Sequence, residues 1–200
     1  MTTWVVFYIV GAYLLGSVSS AVLVTRLFLN TDIREQGSGN PGTTNVLRTV
    51  GKKAAAAVFI FDVLKGAVPV YIGFLLGLQP LVLSVIALSA CVGHMYPIFF
   101  AFKGGKGVAT ALGAIMPLNG YLALCLLGTW LSIFVITRIS SVAAITTLII
   151  APIYAYLFKP EYTLAVAILC TLIIVKHQSN IQRLLSKKER KISRSGGKHK

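Results

Sequence analysis

Residues 108–137 read VATALGAIMPLNGYLALCLLGTWLSIFVIT, and this uncharged stretch decides how the chain is arranged. It is too long for a single helix across a bilayer, where about 20 apolar residues suffice. At its centre Pro117-Leu118-Asn119-Gly120 joins a helix breaker to turn formers, so a straight helix is not expected to run through it. The stretch therefore divides into a short helix at about 108–117 and a second at about 120–137.

Further apolar segments lie at about 4–28, 54–78, 81–100, 140–158 and 162–177. The chain of 200 residues is 56% hydrophobic and only 12% charged, against about 25% charged in ordinary soluble domains. It reads as an integral membrane protein. The first charged side chain is Arg26, and the segment before it has neither a basic n-region nor a small-residue cleavage pattern, so it is expected to stay as a membrane helix.

The net charge of +14 sits at segment ends and in residues 176–200. Charge so placed marks the cytoplasmic face of a membrane protein, not a nucleic-acid surface. Arg26, Arg34, Arg48, Lys52 and Lys53 flank the loop after the first segment, which puts that loop in the cytoplasm and the N-terminus outside. Six crossings would leave the basic tail, Arg183 to Lys200, outside as well. Division at Pro117 makes seven, brings the tail and Arg138 inside, and leaves Lys159 as the one basic residue of an external loop. The expected fold is all-α and polytopic, with about seven transmembrane helices, some of them short. Residues 1–185 form a single helical membrane domain, and 186–200 a basic tail expected to be disordered. Cys91, Cys125 and Cys170 lie singly in apolar segments, so neither a disulfide framework nor a metal site is indicated. No internal repeat suggests the inverted halves of a transporter.

This topology brings three polar patches to one face. The first, GSGNPGTTNVLR at 37–48, is dense in turn formers and ends on Arg48, whose planar fork suits phosphate oxygens. The second, GHMYPIFFAFKGGKGVAT at 93–110, carries Lys103, Gly104, Gly105 and Lys106 just before a helix expected to start near Val108. Unpaired N–H groups and the macrodipole at such an N-terminus attract anions. A nucleotide P-loop is excluded, because Val108 stands where that motif needs Lys. The third patch closes the last helix with Lys176-His177-Gln178-Ser179-Asn180, and His177 and Asn180 share a helical face. A histidine there also suits a purely structural bond to the last carbonyls. Asp62 and Lys65, three residues apart inside the second segment, either pair with each other or serve function directly.

Together these patches resemble the PlsY family, membrane acyltransferases that acylate glycerol 3-phosphate from acyl phosphate, and the resemblance covers nearly the whole chain. The 37–48 stretch is similar to the family's first motif, 93–110 to its second and NIQRLLSKKE, 180–189, to its third; RISS, 138–141, resembles a further segment with paired serines. Two departures stand out: Thr43 where the family commonly has Ala, and Lys187 where it commonly has Gly. Carried over by motif, the resemblance implies phosphate binding by Ser38, Asn40, Gly42, Asn45, Lys103, Gly104 and Gly105, with Ser141 completing the site. Arg48, Lys106, His177 and Asn180 would carry the chemistry. It implies no separate cofactor, a proton taken by the substrate's own phosphate or by His177, and a bacterial inner-membrane location with the site facing the cytoplasm. Expected partners are acyl phosphate, glycerol 3-phosphate and membrane lipids, with the protein a monomer.

The chemistry suits the residues. An acyl phosphate is a mixed anhydride with a good leaving group, so alignment and charge stabilisation matter more than a strong nucleophile. Two phosphates of roughly −2 about 6 Å apart repel by on the order of 10 kcal/mol at an effective dielectric of about 20, which calls for several cations and N–H groups together. The acyltransferase motif of His with Asp five residues later is absent, since Phe99 follows His94 and Gln182 follows His177 at that spacing. The competing reading is a transporter or flippase of an organic phosphate, against which the external loops near Gln79-Pro80 and Asn119-Gly120 offer no charged vestibule. A lipid-binding scaffold would explain the tail but not the glycine loops.

Overall fold

The computed structural model describes residues 3–192, and these are all-helical, with no strand among them. Ten α-helices follow in order: α1 Thr3–Gly16, α2 Ser20–Leu29, α3 Thr43–Thr49, α4 Lys52–Leu75, α5 Pro80–Met95, α6 Val108–Ile115, α7 Gly120–Thr137, α8 Ser140–Phe158, α9 Thr163–Lys176 and α10 Gln178–Leu185. Five stretches are long and apolar enough to cross a bilayer, or six if α9 and α10, bent by 59° at His177, count as one. Large apolar side chains such as Leu27, Leu81 and Ile136 project from the outer surface, as expected where lipid is the solvent.

The divided segment is as expected. α6 stops at Ile115, Pro117 follows, and Asn119 caps α7 by accepting the Leu122 N–H at 2.9 Å. At 1.5 Å per residue α6 is about 12 Å long and reaches less than halfway across the hydrocarbon.

The first segment, expected as one helix over 4–28, is instead broken between Gly16 and Ser20. A backbone break inside hydrocarbon must have its freed polar groups satisfied. Lys65 on α4 does so by donating to the Val18 carbonyl at 3.0 Å, and Ser20 at the start of α2 donates to Asp62 Oδ1 at 2.7 Å. Lys65 Nζ also lies 2.8 Å from Asp62 Oδ1. The intramembrane charges therefore pair, and the pair mends a broken helix.

Small residues let two helix pairs approach closely. Gly66 of α4 lies against the Thr110 carbonyl of α6, and Gly113 of α6 against the Val63 carbonyl of α4; a methyl group at either would collide with backbone. Gly16 and Gly93 do the same for α1 and α5, against Ala90 and Tyr13. The main apolar core includes Ile86, Met95, Leu122 and Ile173, while a smaller cluster of Val22, Ile33, Val46 and Val58 anchors the first loop.

The end of α10 explains one departure noted above. The N–H of Lys188 donates to Arg183 O at 2.7 Å and that of Lys187 to Leu184 O at 3.0 Å, the paired bonds of a Schellman motif. Lys187 takes φ +56°, a left-handed conformation that glycine adopts freely and other residues at a cost of about 1–2 kcal/mol. Residues 193–200 of the expected disordered tail lie outside the described residues. The part from 186 to 192 departs from that expectation, because it folds back onto the domain and Ile192 N–H donates to Arg138 O at 2.9 Å.

Candidate active site

Loop geometry is set by short-range chemistry. Asp32 begins the first loop by accepting the Arg34 N–H at 3.0 Å and gripping its guanidinium at 2.7 Å, which together hold its carboxyl at about 2. Arg34 Nη1 donates onward to the Phe100 carbonyl at 3.0 Å, tying this loop to the second patch. Asn45 is buried and braces the loop: Oδ1 accepts from the Ser38 N–H at 3.0 Å and Nδ2 donates to Gln36 O at 2.9 Å. It shapes the loop that presents Ser38, Asn40 and Gly42. Arg48, a turn along α3, donates from Nη2 to Arg190 O at 2.8 Å, while its Nε is buried and unpartnered. Burial pulls the Arg48 guanidinium below its ordinary value.

In the second patch Gly105 N–H donates to His94 O at 3.2 Å, and Gly107 at φ +93° turns the chain into α6. The N–H groups of Lys106 and Gly107 have no intramolecular partner among the described residues, which leaves them free for an anion. Lys103 is exposed at the rim and Lys106 is half-buried. Burial brings the Lys106 ammonium down to about 8; Glu189 opposes the shift, and Arg183 and Arg48 add to it.

The third patch contains a group missed in the sequence. Glu189 Oε1 accepts from Ser141 Oγ at 2.7 Å and from Asn180 Nδ2 at 2.6 Å, while Oε2 accepts from Arg183 Nε at 2.6 Å. Burial alone would raise this carboxyl, but the bonds from Arg183, Ser141 and Asn180 outweigh it and hold it below its ordinary value. The signal was available: Glu189 is one of five acidic residues and the only one in the basic tail. His177 is buried and its Nδ1 lies 2.7 Å from Ile173 O. A carbonyl can only accept, so Nδ1 carries the proton and Nε2 is the free nitrogen.

All twelve residues that the resemblance assigns to the site line one cavity of about 1570 Å³. Arg48, Lys103 and Lys106 gather at its polar end; Ile115, Leu126, Trp130, Leu148, Ala151 and Leu169 line the remainder. From Ser141 to Ala151 the cavity follows α8 for about 15 Å at 1.5 Å per residue, half the hydrocarbon thickness of about 30 Å. A cation-rich mouth opening into a greasy shaft suits an amphiphile with an anionic head.

The sequence pattern of the glycerol-3-phosphate acyltransferase family matches residues 6–187. The chain belongs to that family. The glycerol-3-phosphate acyltransferase of Vibrio campbellii is 59% identical over 182 residues, covering 91% of this chain and 90% of its own length. That of Shewanella halifaxensis is 54% identical over 194 residues, covering 97% and 98%. The crystal structure of PlsY, an integral membrane glycerol 3-phosphate acyltransferase, in its glycerol 3-phosphate form superimposes with a TM-score of 0.90 at 39% identity, over 95% of this chain and 96% of that one. Its lysophosphatidic acid form gives 0.88 at 38%. Family membership makes this an acyltransferase of the membrane, and its cavity is the acyltransferase's candidate site.

Proposed function

We propose that the chain transfers a fatty acyl group from acyl phosphate to the sn-1 hydroxyl of glycerol 3-phosphate, giving lysophosphatidic acid and phosphate. The observation that carries this reading is the single cavity whose cationic end meets an apolar shaft. Both phosphates bind at the polar end, held by Arg48, Lys103, Lys106, the free N–H groups of the glycine loop and the side chains of Ser38 and Asn40. The acyl chain lies among α6, α7, α8 and α9. The acceptor oxygen attacks the anhydride carbonyl carbon, a new ester C–O bond forms, and the C–O bond to phosphate breaks with the electron pair leaving on phosphate. The hydroxyl proton passes to a phosphate oxygen or to His177 Nε2.

Seven crossings, counting α1 with α2 as one and the short α6 with the turn that follows it as another, with the N-terminus outside and the C-terminus inside, suit this reading, since the loops that share the cavity then all face the cytoplasm of a bacterial inner membrane. A monomer suffices, because one chain supplies every residue named.

The test is formation of lysophosphatidic acid by purified protein from labelled glycerol 3-phosphate, with palmitoyl phosphate and palmitoyl-CoA as parallel donors. Product from the acyl phosphate alone is expected. No product from either donor with folded protein would discard this reading, and uptake of the phosphate into sealed vesicles without conversion would replace it with transport. His177→Ala separates the two proton acceptors: a fall in kcat of about a hundredfold or more assigns the proton to His177, within the range of general base catalysis, and retained kcat assigns it to the substrate phosphate.

A further inference from the structure

Behind the cavity lies a buried polar group that the reaction does not use directly. Asp62 on α4 and His94 on α5 are 2% and 7% exposed, and both reach the cavity wall. Lys65 and Ser20 anchor Asp62 at the helix break, as described above. His94 Nδ1 lies 3.4 Å from Asp62 Oδ1, in contact but short of an aligned hydrogen bond.

The other edge of the His94 ring faces Gly105. A methyl group on Gly105 would collide with His94 Nε2 and come within 2.9 Å of Cε1, while lying 3.0 Å from the Pro41 carbonyl of the first loop. Gly105 is thus wedged between the His94 ring and Pro41, and its N–H is tied to the His94 carbonyl at 3.2 Å. A continuous line of contact runs from the helix break through Asp62 and His94 to the glycine loop, and on to Pro41 in the loop that bears Ser38.

We propose that Asp62 and His94 are positioning residues: the carboxylate sets the imidazole, and the imidazole sets the Lys103 to Lys106 turn against Pro41, so that both phosphate-binding loops converge. This rests on the phosphate reading of those loops. The effect of His94 is on the binding of anionic substrate, through the registration of backbone N–H groups that must align to within a fraction of an ångström.

The test is a double-mutant cycle in the full-length protein, assayed with glycerol 3-phosphate and palmitoyl phosphate. His94→Ala is expected to raise KM for glycerol 3-phosphate about tenfold with kcat changed by less than about threefold. Gly105→Ala is expected to lose at least about tenfold in kcat/KM through its collision with the ring. The double variant is expected to be no worse than His94→Ala, because removing the ring makes room for the methyl group. Additive losses would overturn the proposal, as would a collapse of kcat at unchanged KM in His94→Ala, which would put the ring on the reacting atoms. Should His94→Ala fail to give monodisperse protein, His94→Gln carries the test: a KM raised about threefold or more at unchanged kcat supports positioning, and a wild-type KM overturns it. Absence of product from the wild type would sink both the acyl-transfer reading and this one; wild-type activity with an additive cycle would sink this one alone.

Discussion

Arg48→Ala and Lys106→Ala will each lower kcat/KM for acyl transfer at least about tenfold, or about 1.4 kcal/mol of transition-state stabilisation. Two phosphate groups in one cavity repel by on the order of 10 kcal/mol, and Arg48 and Lys106 are half-buried in that cavity whereas Lys103 is exposed at its rim. The Lys106 variant has a second signature. Burial brings its ammonium from 10.5 to about 8, so the charge that binds phosphate disappears as pH rises through about 8, and activity falls with it. The contribution of Lys106 to stability moves the opposite way over the same window: between about 8 and 10.5 the unfolded chain binds a proton that folded Lys106 has released, so that contribution rises with pH. Activity lost above pH 8 through Lys106 is therefore not a loss of the stability that Lys106 contributes. Lys106→Arg, which stays protonated, is expected to retain part of the activity and to lose this alkaline limb. Steady-state kinetics from pH 6.5 to 9.5, a range chosen to bracket about 8, check this. Near-normal kinetics in either Ala variant would remove that residue from the site, and an alkaline limb surviving in Lys106→Arg would assign it elsewhere.

Glu189→Ala will lower kcat/KM by about tenfold to a hundredfold and reduce the thermal midpoint. The carboxylate joins Ser141 on α8, Asn180 on α10 and Arg183, also on α10. Without it two polar side chains of the site lose their bonds, and an orphaned group there costs more than the bond was worth. Arg183 is also freed to add positive charge beside Arg48 and Lys106. Glu189→Gln isolates the charge, because its amide oxygen still accepts from Ser141 and Asn180 but no longer balances Arg183; an intermediate loss is expected. Wild-type activity in both variants would show that the segment from 186 to 192 does not shape the site.

The sequence by itself determined the elements whose causes are local. Uncharged runs of sufficient length make membrane helices, and Pro117 with Asn119-Gly120 divides the stretch that a hydropathy count would take as one span. The glycine and lysine loop entering α6 and the turn-rich stretch before Arg48 were legible for the same reason: turn chemistry and anion-binding geometry involve neighbours in the chain. Tertiary structure decided what depends on partners far away. The break after Gly16 is invisible to hydropathy, because serines there cost little apolar character; it stands because Lys65, more than 40 positions on, donates to the Val18 carbonyl it frees, and Asp62 accepts from the hydroxyl of Ser20 where the next helix begins. Asn45 braces its loop because its amide finds the Ser38 N–H and the Gln36 carbonyl once the chain has turned. Glu189 looks like an isolated charge in a basic tail until folding brings Ser141, 48 residues earlier, to its carboxylate. Hydropathy and turn signals are sums over adjacent residues, whereas a buried hydrogen bond is a demand that only the packed chain can meet.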